Sequence, residues 1–187
     1  MKNATEAFEK VITLAFNTVL DVGSGAGEHA KAFKVLGKQV TTLDLVNADV
    51  VGDFTTLNLE TYDCVWASHV LEHQLNVGLF LKKCFDVLAD GGILAITVPP
   101  AKPEVVGGHV SIWNTGLLLY NLVLAGFDCS KASVKQYGYN ISVIVRKVPA
   151  NLPILKMDCG DIELLSKFFP FKATHGFDGN IERVNWP

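Results

Sequence analysis

Thr18-Val19-Leu20-Asp21-Val22-Gly23-Ser24-Gly25-Ala26-Gly27 is the stretch that decides the fold of this chain. Thr18 to Val22 is apolar and β-prone, so it reads as a buried strand. The glycines that follow let the backbone turn sharply and approach a ligand with no Cβ in the way. Glu28 to Leu36 reads as a helix, with Gly37 as its stop signal. A second strand, Val40-Thr41-Thr42-Leu43-Asp44, comes next. Asp44 closes that strand about 20 residues after the loop, where an acid can accept hydrogen bonds from both hydroxyls of a ribose.

The loop distinguishes between nucleoside ligands. A dinucleotide fingerprint needs G-x-G-x-x-G, with pyrophosphate on the helix N-terminus. Gly23 and Gly25 fit, but the third position is Glu28, a poor neighbour for pyrophosphate. Asp21 adds a second negative charge beside the loop. That acid suits a ligand that carries an ammonium and a sulfonium and no phosphate, as S-adenosyl-L-methionine does. The pattern Asp21-x-Gly23-x-Gly25-x-Gly27 resembles the first motif of class I S-adenosylmethionine-dependent methyltransferases.

Later segments extend the resemblance in order. Val51-Gly52-Asp53-Phe54 resembles that family's short third-strand motif, which implies that Asp53 contacts the adenine amino group. Tyr62 to His73 resembles its fourth strand and the turn beyond. Leu81 to Pro99 resembles the next helix, an Asp90-Gly91-Gly92 turn and a fifth strand over Ile93 to Val98. The resemblance covers residues 18–147. It implies an α/β fold: a Rossmann-like doubly wound sheet, mostly parallel, with a C-terminal antiparallel hairpin. It also implies that Asp21, Gly23, Ser24, Gly25, Gly27, Asp44, Leu45, Asp53, Phe54, Ser68 and His69 hold the cofactor.

With 187 residues, a single domain is expected, and 49% apolar residues suffice for a full core. It divides into an N-terminal helical segment over 1–17, a core over 18–147 and a tail over 148–187. The net charge is −3, with no run of lysine or arginine, which disfavours a nucleic-acid partner. Cys64, Cys84, Cys129 and Cys159 form no C-x-x-C pair and read as reduced thiols of a cytoplasmic protein. The N-terminus lacks a signal pattern, and Glu6, Glu9 and Lys10 interrupt any apolar run, so no membrane span is expected.

Thr5 to Phe16 places Phe8, Val11, Ile12 and Ala15 at helical spacing. Asn76 to Leu88 reads as an amphipathic helix with Leu79, Phe80, Lys83, Phe85 and Val87 on its packing face. Pro99, Pro100, Pro103, Gly107 and Gly108 mark an irregular loop. Asn114 or Thr115 caps the next helix, which Gly126 ends. Ser130–Lys135 and Asn140–Lys147 read as strands joined around Gly138. The tail, with Phe168, Phe169, Phe171, Phe177 and Trp186, reads either as a strap over a sheet edge or as a lid on the substrate pocket.

Methyl transfer from a sulfonium needs alignment and exclusion of water, and a hydroxyl acceptor also needs a base. His109 lies on the Gly107-Gly108 loop, beyond the fifth strand and before Trp113. It is the first candidate base, and Trp113 is a candidate pocket wall. His73 is the second candidate base, and Glu72 and His73 fall at the lip of the cofactor pocket. A plainer role for each histidine is to hydrogen-bond the local backbone. His69-Val70-Leu71-Glu72-His73 also matches the zinc-protease string H-x-x-E-H, but that motif needs a helix and a third ligand, so no metal is expected. The expected activity is methylation of a small molecule, of the sugar or secondary-metabolite kind. The alternatives are a non-catalytic S-adenosylmethionine-binding regulator and a nicotinamide-dependent oxidoreductase.

Overall fold

The computed structural model describes residues 3–186; Met1, Lys2 and Pro187, at the ends of the expected helical segment and tail, lie outside the described residues. The chain runs α1 Thr5–Val11, β1 Thr18–Val22, α2 Glu28–Val35, β2 Gln39–Asp44, β3 Val50–Val51 and β4 Tyr62–Ser68. It continues through α3 Val77–Asp86, β5 Leu88–Val98, α4 Thr115–Leu124, β6 Ser133–Tyr137, β7 Asn140–Arg146, α5 Asp161–Leu165 and β8 Arg183–Val184. One sheet has the order β3-β2-β1-β4-β5-β7-β6-β8. The first five strands in that order pair in parallel, while the β5–β7, β7–β6 and β6–β8 pairings are antiparallel. This is the mostly parallel, doubly wound sheet that the sequence implies, with its antiparallel hairpin.

Period-2 alternation divides the core into two layers. Leu20 and Val22 of β1, with Val65 and Ala67 of β4, face the layer under α3 and α4. Val19, Cys64 and Trp66 face the opposite layer, against Phe8, Val11 and Phe33 from α1 and α2. α4 is apolar along most of its length and buries Leu118, Leu119, Leu122 and Val123. Each such side chain contributes about 1.5–3 kcal/mol. Asn114 caps α4, its side chain accepting from the Leu117 N–H.

The strand order reverses between β1 and β4, because β2 and β3 lie to one side of β1 and β5 to the other. Loops leaving the carboxyl ends of these strands diverge there and open a crevice. No helix separates β2 from β3, which leaves the crevice uncovered on that side.

Several boundaries differ from the sequence expectation. α1 ends at Val11 rather than Phe16, because Thr13 Oγ1 and the Thr13 N–H both bond the Lys10 carbonyl and tighten the last turn. Ile12 and Ala15 are therefore exposed. β5 begins at Leu88, not Ile93, and Asp90-Gly91-Gly92 is a bulge within it: Leu88 pairs with Tyr62 and Ile93 with Cys64. A Cβ on Gly92 would lie 2.8 Å from the Ala89 carbonyl oxygen, so the bulge requires glycine. α3 buries Phe80, Leu81 and Cys84, while Leu79 is half exposed and Lys83 donates to the Leu57 carbonyl. β6 starts three residues later than expected, at Ser133.

In the tail, β8 pairs with β6 at the sheet edge, and the Gly116 N–H donates to the Gly179 carbonyl beside the start of α4. Phe168, Phe169 and Trp186 are buried. Among the described residues, no helix is long and apolar enough to cross a membrane.

Candidate functional site

Three left-handed glycines shape the loop after β1, with φ of 67° at Gly23, 50° at Gly25 and 71° at Gly27. The Gly23 and Ser24 N–H groups both donate to the Leu43 carbonyl, which ties the loop to the end of β2. Gly23 also needs its missing side chain, since a Cβ there would sit 2.3 Å from a Val70 methyl. Asp44 completes the brace: Oδ2 accepts from the Gly25 N–H at 2.8 Å and Oδ1 from the Leu45 N–H at 2.7 Å. Each carboxylate oxygen keeps a lone pair for a further donor.

The crevice holds a cavity of about 540 Å³ at the carboxyl ends of β1 to β4. Gly23, Asp44, Leu45, Asp53, Phe54 and His69, all expected at the cofactor site, line it together with His73. Phe54 is fixed edge-on to Phe80 at 5.1 Å. Asp53 Oδ1 accepts from the Thr55 N–H and hydroxyl, which hold its carboxyl below its ordinary range. Ser24, Gly25, Gly27 and Ser68 lie outside the cavity lining.

Asp21 lies behind the loop rather than in the cavity wall. It is 2% exposed, and its Oδ2 has no hydrogen-bond partner. Burial pushes its carboxyl up to about 7; an N–H from Ala30 opposes the rise and the nearby Asp44 charge adds to it. An orphaned, buried acid beside an open crevice fits a ligand that brings a cation.

Beyond β4 the chain turns at His69, which has the left-handed φ of 57° rare for a non-glycine residue. The turn sends His69 Nε2 to Asn140 Oδ1 at 3.0 Å and puts Nδ1 3.2 Å from Glu72 Oε1. Burial works against its charged form, but the contacts with Glu72 and Asn140 outweigh it and raise the pKa. Glu72 is fully buried in a 3-10 turn over Leu71–His73. The His69 contact is an off-axis ion pair, and neither Glu72 carboxylate oxygen has a hydrogen bond. The Glu72 carbonyl accepts from the Val110 and Ser111 N–H groups and so anchors the loop after β5.

That loop carries His109. Its ring centroid is 5.1 Å from that of His73, and His73 Nδ1 lies 2.8 Å from the Gly108 carbonyl oxygen. His109 lines a second cavity of about 240 Å³ with Pro100, Lys102, Glu104, Ile112 and Tyr139. Trp113, the candidate pocket wall, lines neither cavity. It is 2% exposed, it bonds Ser111 through Nε1, and its backbone bridges to Pro100. None of residues 148–186 lines either cavity. Asn140, Tyr139 and Lys102 enter this region without having been singled out in the sequence. Tyr139 sits in the hairpin turn and Asn140 opens β7, a stretch that reads locally as a connection only.

A glycine loop, a ribose-position acid and a crevice at the strand reversal define a Rossmann-like domain of the class I methyltransferase type. Residues 2–119 match the family model described as a methyltransferase domain, and the chain belongs to that family. It is similar to the ubiquinone biosynthesis O-methyltransferase of Bradyrhizobium sp. (strain ORS 278), with 30% identity over 97 residues, covering 42% of this chain and 38% of that protein. The match thus spans about two fifths of that relative's length. Among solved structures, it resembles the Burkholderia thailandensis 1,6-didemethyltoxoflavin-N1-methyltransferase with bound 1,6-didemethyltoxoflavin and S-adenosylhomocysteine. The TM-score is 0.66 at 20% identity, over 77% of each chain. A SAM-dependent methyltransferase from Archaeoglobus fulgidus gives a TM-score of 0.65 at 15% identity, over 76% of this chain and 92% of that one.

Proposed function

We propose that this chain is an S-adenosyl-L-methionine-dependent methyltransferase acting on a small-molecule acceptor. The observation that carries the reading is the meeting of two cavities. The larger has the acids and glycine loop suited to a nucleoside, and the smaller abuts it across the His73–His109 pair. The larger cavity, at about 540 Å³, lies within the range of about 300–1,000 Å³ common for small-ligand sites.

Asp44 accepts the ribose hydroxyls, and Asp53 and Phe54 flank the base. Asp21, short of one partner, balances the ligand's positive charge. When bound, the cofactor supplies an electrophilic methyl on a sulfonium. The residues around it orient that methyl toward the smaller cavity for in-line displacement and exclude water. His109, with His73 beside it, takes the proton of a hydroxyl acceptor. The exposed apolar residues Val105 and Ile112 flank this acceptor cavity and suit a small molecule rather than a charged polymer. The Bradyrhizobium relative's O-methyltransferase name supports an oxygen acceptor.

The test is formation of S-adenosylhomocysteine from S-adenosylmethionine with a panel of phenols, alcohols and amines. The reading expects turnover with at least one hydroxyl compound that is lost in Asp44→Ala. Tight cofactor binding with no turnover on any acceptor would favour a regulatory module.

A further inference from the structure

We propose that Glu72, His73 and His109 form a binding site for one divalent transition-metal ion of the zinc class, at the junction of the two cavities. One ligand atom from each lies within 4.8 Å of the others. Glu72 and His73 are adjacent and His109 is distant in sequence, yet the Val110 and Ser111 N–H bonds to the Glu72 carbonyl lock the two segments together.

The tautomer of His73 points the same way. With the Gly108 carbonyl at 2.8 Å, Nδ1 must be the donor. In neutral His73, Nε2 then presents a lone pair 3.9 Å from Glu72 Oε1. A lone pair and a carboxylate that face each other call for a cation between them. A backbone carbonyl orienting a histidine through its other nitrogen is the usual support for a metal ligand. Glu72 supplies an independent sign, because both its oxygens are buried and lack hydrogen bonds. His69 reaches Oε1 only off-axis and Oε2 is left buried with no hydrogen bond, a state that is costly for a carboxylate without a further cation. His69 approaches Glu72 as well, but among the described residues it is Glu72, His73 and His109 whose ligand atoms all lie within 4.8 Å of one another, so His69 positions the carboxylate.

Two imidazoles and one carboxylate suit zinc with a fourth position left open. This is not the ligand set of H-x-x-E-H, whose two histidines would both bind the ion. Ligand atoms around tetrahedral zinc lie about 3.3–3.5 Å apart, so the site closes by roughly 1 Å on loading. The exposed Gly107-Gly108 segment allows this, with Gly108 at φ 82°. The open position adjoins the acceptor cavity. An acceptor hydroxyl coordinated there sheds its proton to water more readily, and the two histidines then act through the ion. That use rests on the proposed function; the site itself does not.

The test uses the full chain, stripped with a chelator, in a Cys159→Ser background that removes the exposed thiol. Zn²⁺ is titrated by calorimetry and Co²⁺ by visible absorption, without cofactor. The expected result is one ion per chain, with a tetrahedral or five-coordinate cobalt spectrum. His73→Ala and His109→Ala each weaken zinc binding at least tenfold, while His175→Ala does not. Circular dichroism checks that the variants are folded. Absence of stoichiometric binding, or binding unchanged in both folded variants, overturns the site. S-adenosylmethionine is titrated in parallel. Cofactor binding without metal overturns this inference alone, and metal binding without cofactor overturns the proposed function alone.

Discussion

Asp21→Asn tests the charge logic of the cofactor loop. Asp21 is buried at the end of β1, and its carboxyl is pushed up to about 7 from the ordinary 3.8. The folded chain therefore holds a proton there that the unfolded chain has released over most of that interval. The group's contribution to stability falls as pH rises from about 4 to 7 and is flat above. Between pH 5 and pH 8 the loss is about 3 kcal/mol, at about 1.4 kcal/mol for each pH step up to 7. Asn keeps the shape and cannot ionise. The ligand-free variant should therefore gain about 3 kcal/mol on wild type between pH 5 and pH 8. For a chain of this size that is about 6–12 °C in Tm. Urea denaturation of both proteins at the two pH values measures it. His69 and His29 also have shifted pKa values, one raised and one lowered, but both are present in each protein and largely drop out of the difference. The same substitution should weaken S-adenosylmethionine binding, because a cationic ligand favours the carboxylate. In wild type, binding near pH 6.5 should release a proton, seen as a dependence of the binding heat on the buffer. Parallel stability curves for wild type and Asp21→Asn would refute the reasoning.

Three further outcomes follow from the geometry. Gly23→Ala puts a Cβ 2.3 Å from Val70 Cγ2 at a left-handed φ, so it should cost about 1–3 kcal/mol in thermal denaturation, partly recovered by adding Val70→Ala. His109→Ala should lower turnover of a hydroxyl acceptor about 100-fold or more, with cofactor affinity nearly unchanged; steady-state kinetics beside His73→Ala shows which histidine matters more. Asp63 is held below the usual carboxylate range by the Thr18 and Asn17 N–H groups, so the stability it contributes is present at neutral pH and fades as pH falls. Asp63→Asn should lower Tm at pH 7 and flatten the acid limb of the stability curve.

The parallel half of the fold was legible because its signals are local. Apolar and amphipathic runs beside the glycines gave β1, α2 and β2, and the family resemblance gave β4, to within a residue or two. The bulge in β5 was not legible, since Asp90-Gly91-Gly92 reads as a turn until its pairing with β4 is known. α1 was overextended because Ile12 and Ala15 keep the helical spacing, while the Thr13 side chain that ends the helix carries little sequence signal. At the site, spacing pointed to Gly23 and Asp44 and the resemblance to Asp53, all of which line the larger cavity, whereas Asp21, Gly25 and Gly27 lie outside its lining. The juxtaposition of Glu72 and His73 with His109 was not legible, because it depends on two backbone bonds between segments more than 30 residues apart. Proximity of Trp113 to His109 in sequence likewise does not show that its ring turns inward to the core and lines neither cavity.

The crevice at the reversal of strand order is proposed to bind S-adenosylmethionine rather than a dinucleotide. Isothermal titration of the full chain with S-adenosylmethionine and, separately, with NAD tests it most directly. One-to-one binding of S-adenosylmethionine and none of NAD is expected. Asp44→Ala removes the bonds to Gly25 and Leu45 and those to the ribose, so affinity should fall at least tenfold, at about 1.5–3 kcal/mol for each charge-assisted bond. Binding of NAD in place of S-adenosylmethionine, or an affinity for S-adenosylmethionine that Asp44→Ala leaves unchanged, would contradict it.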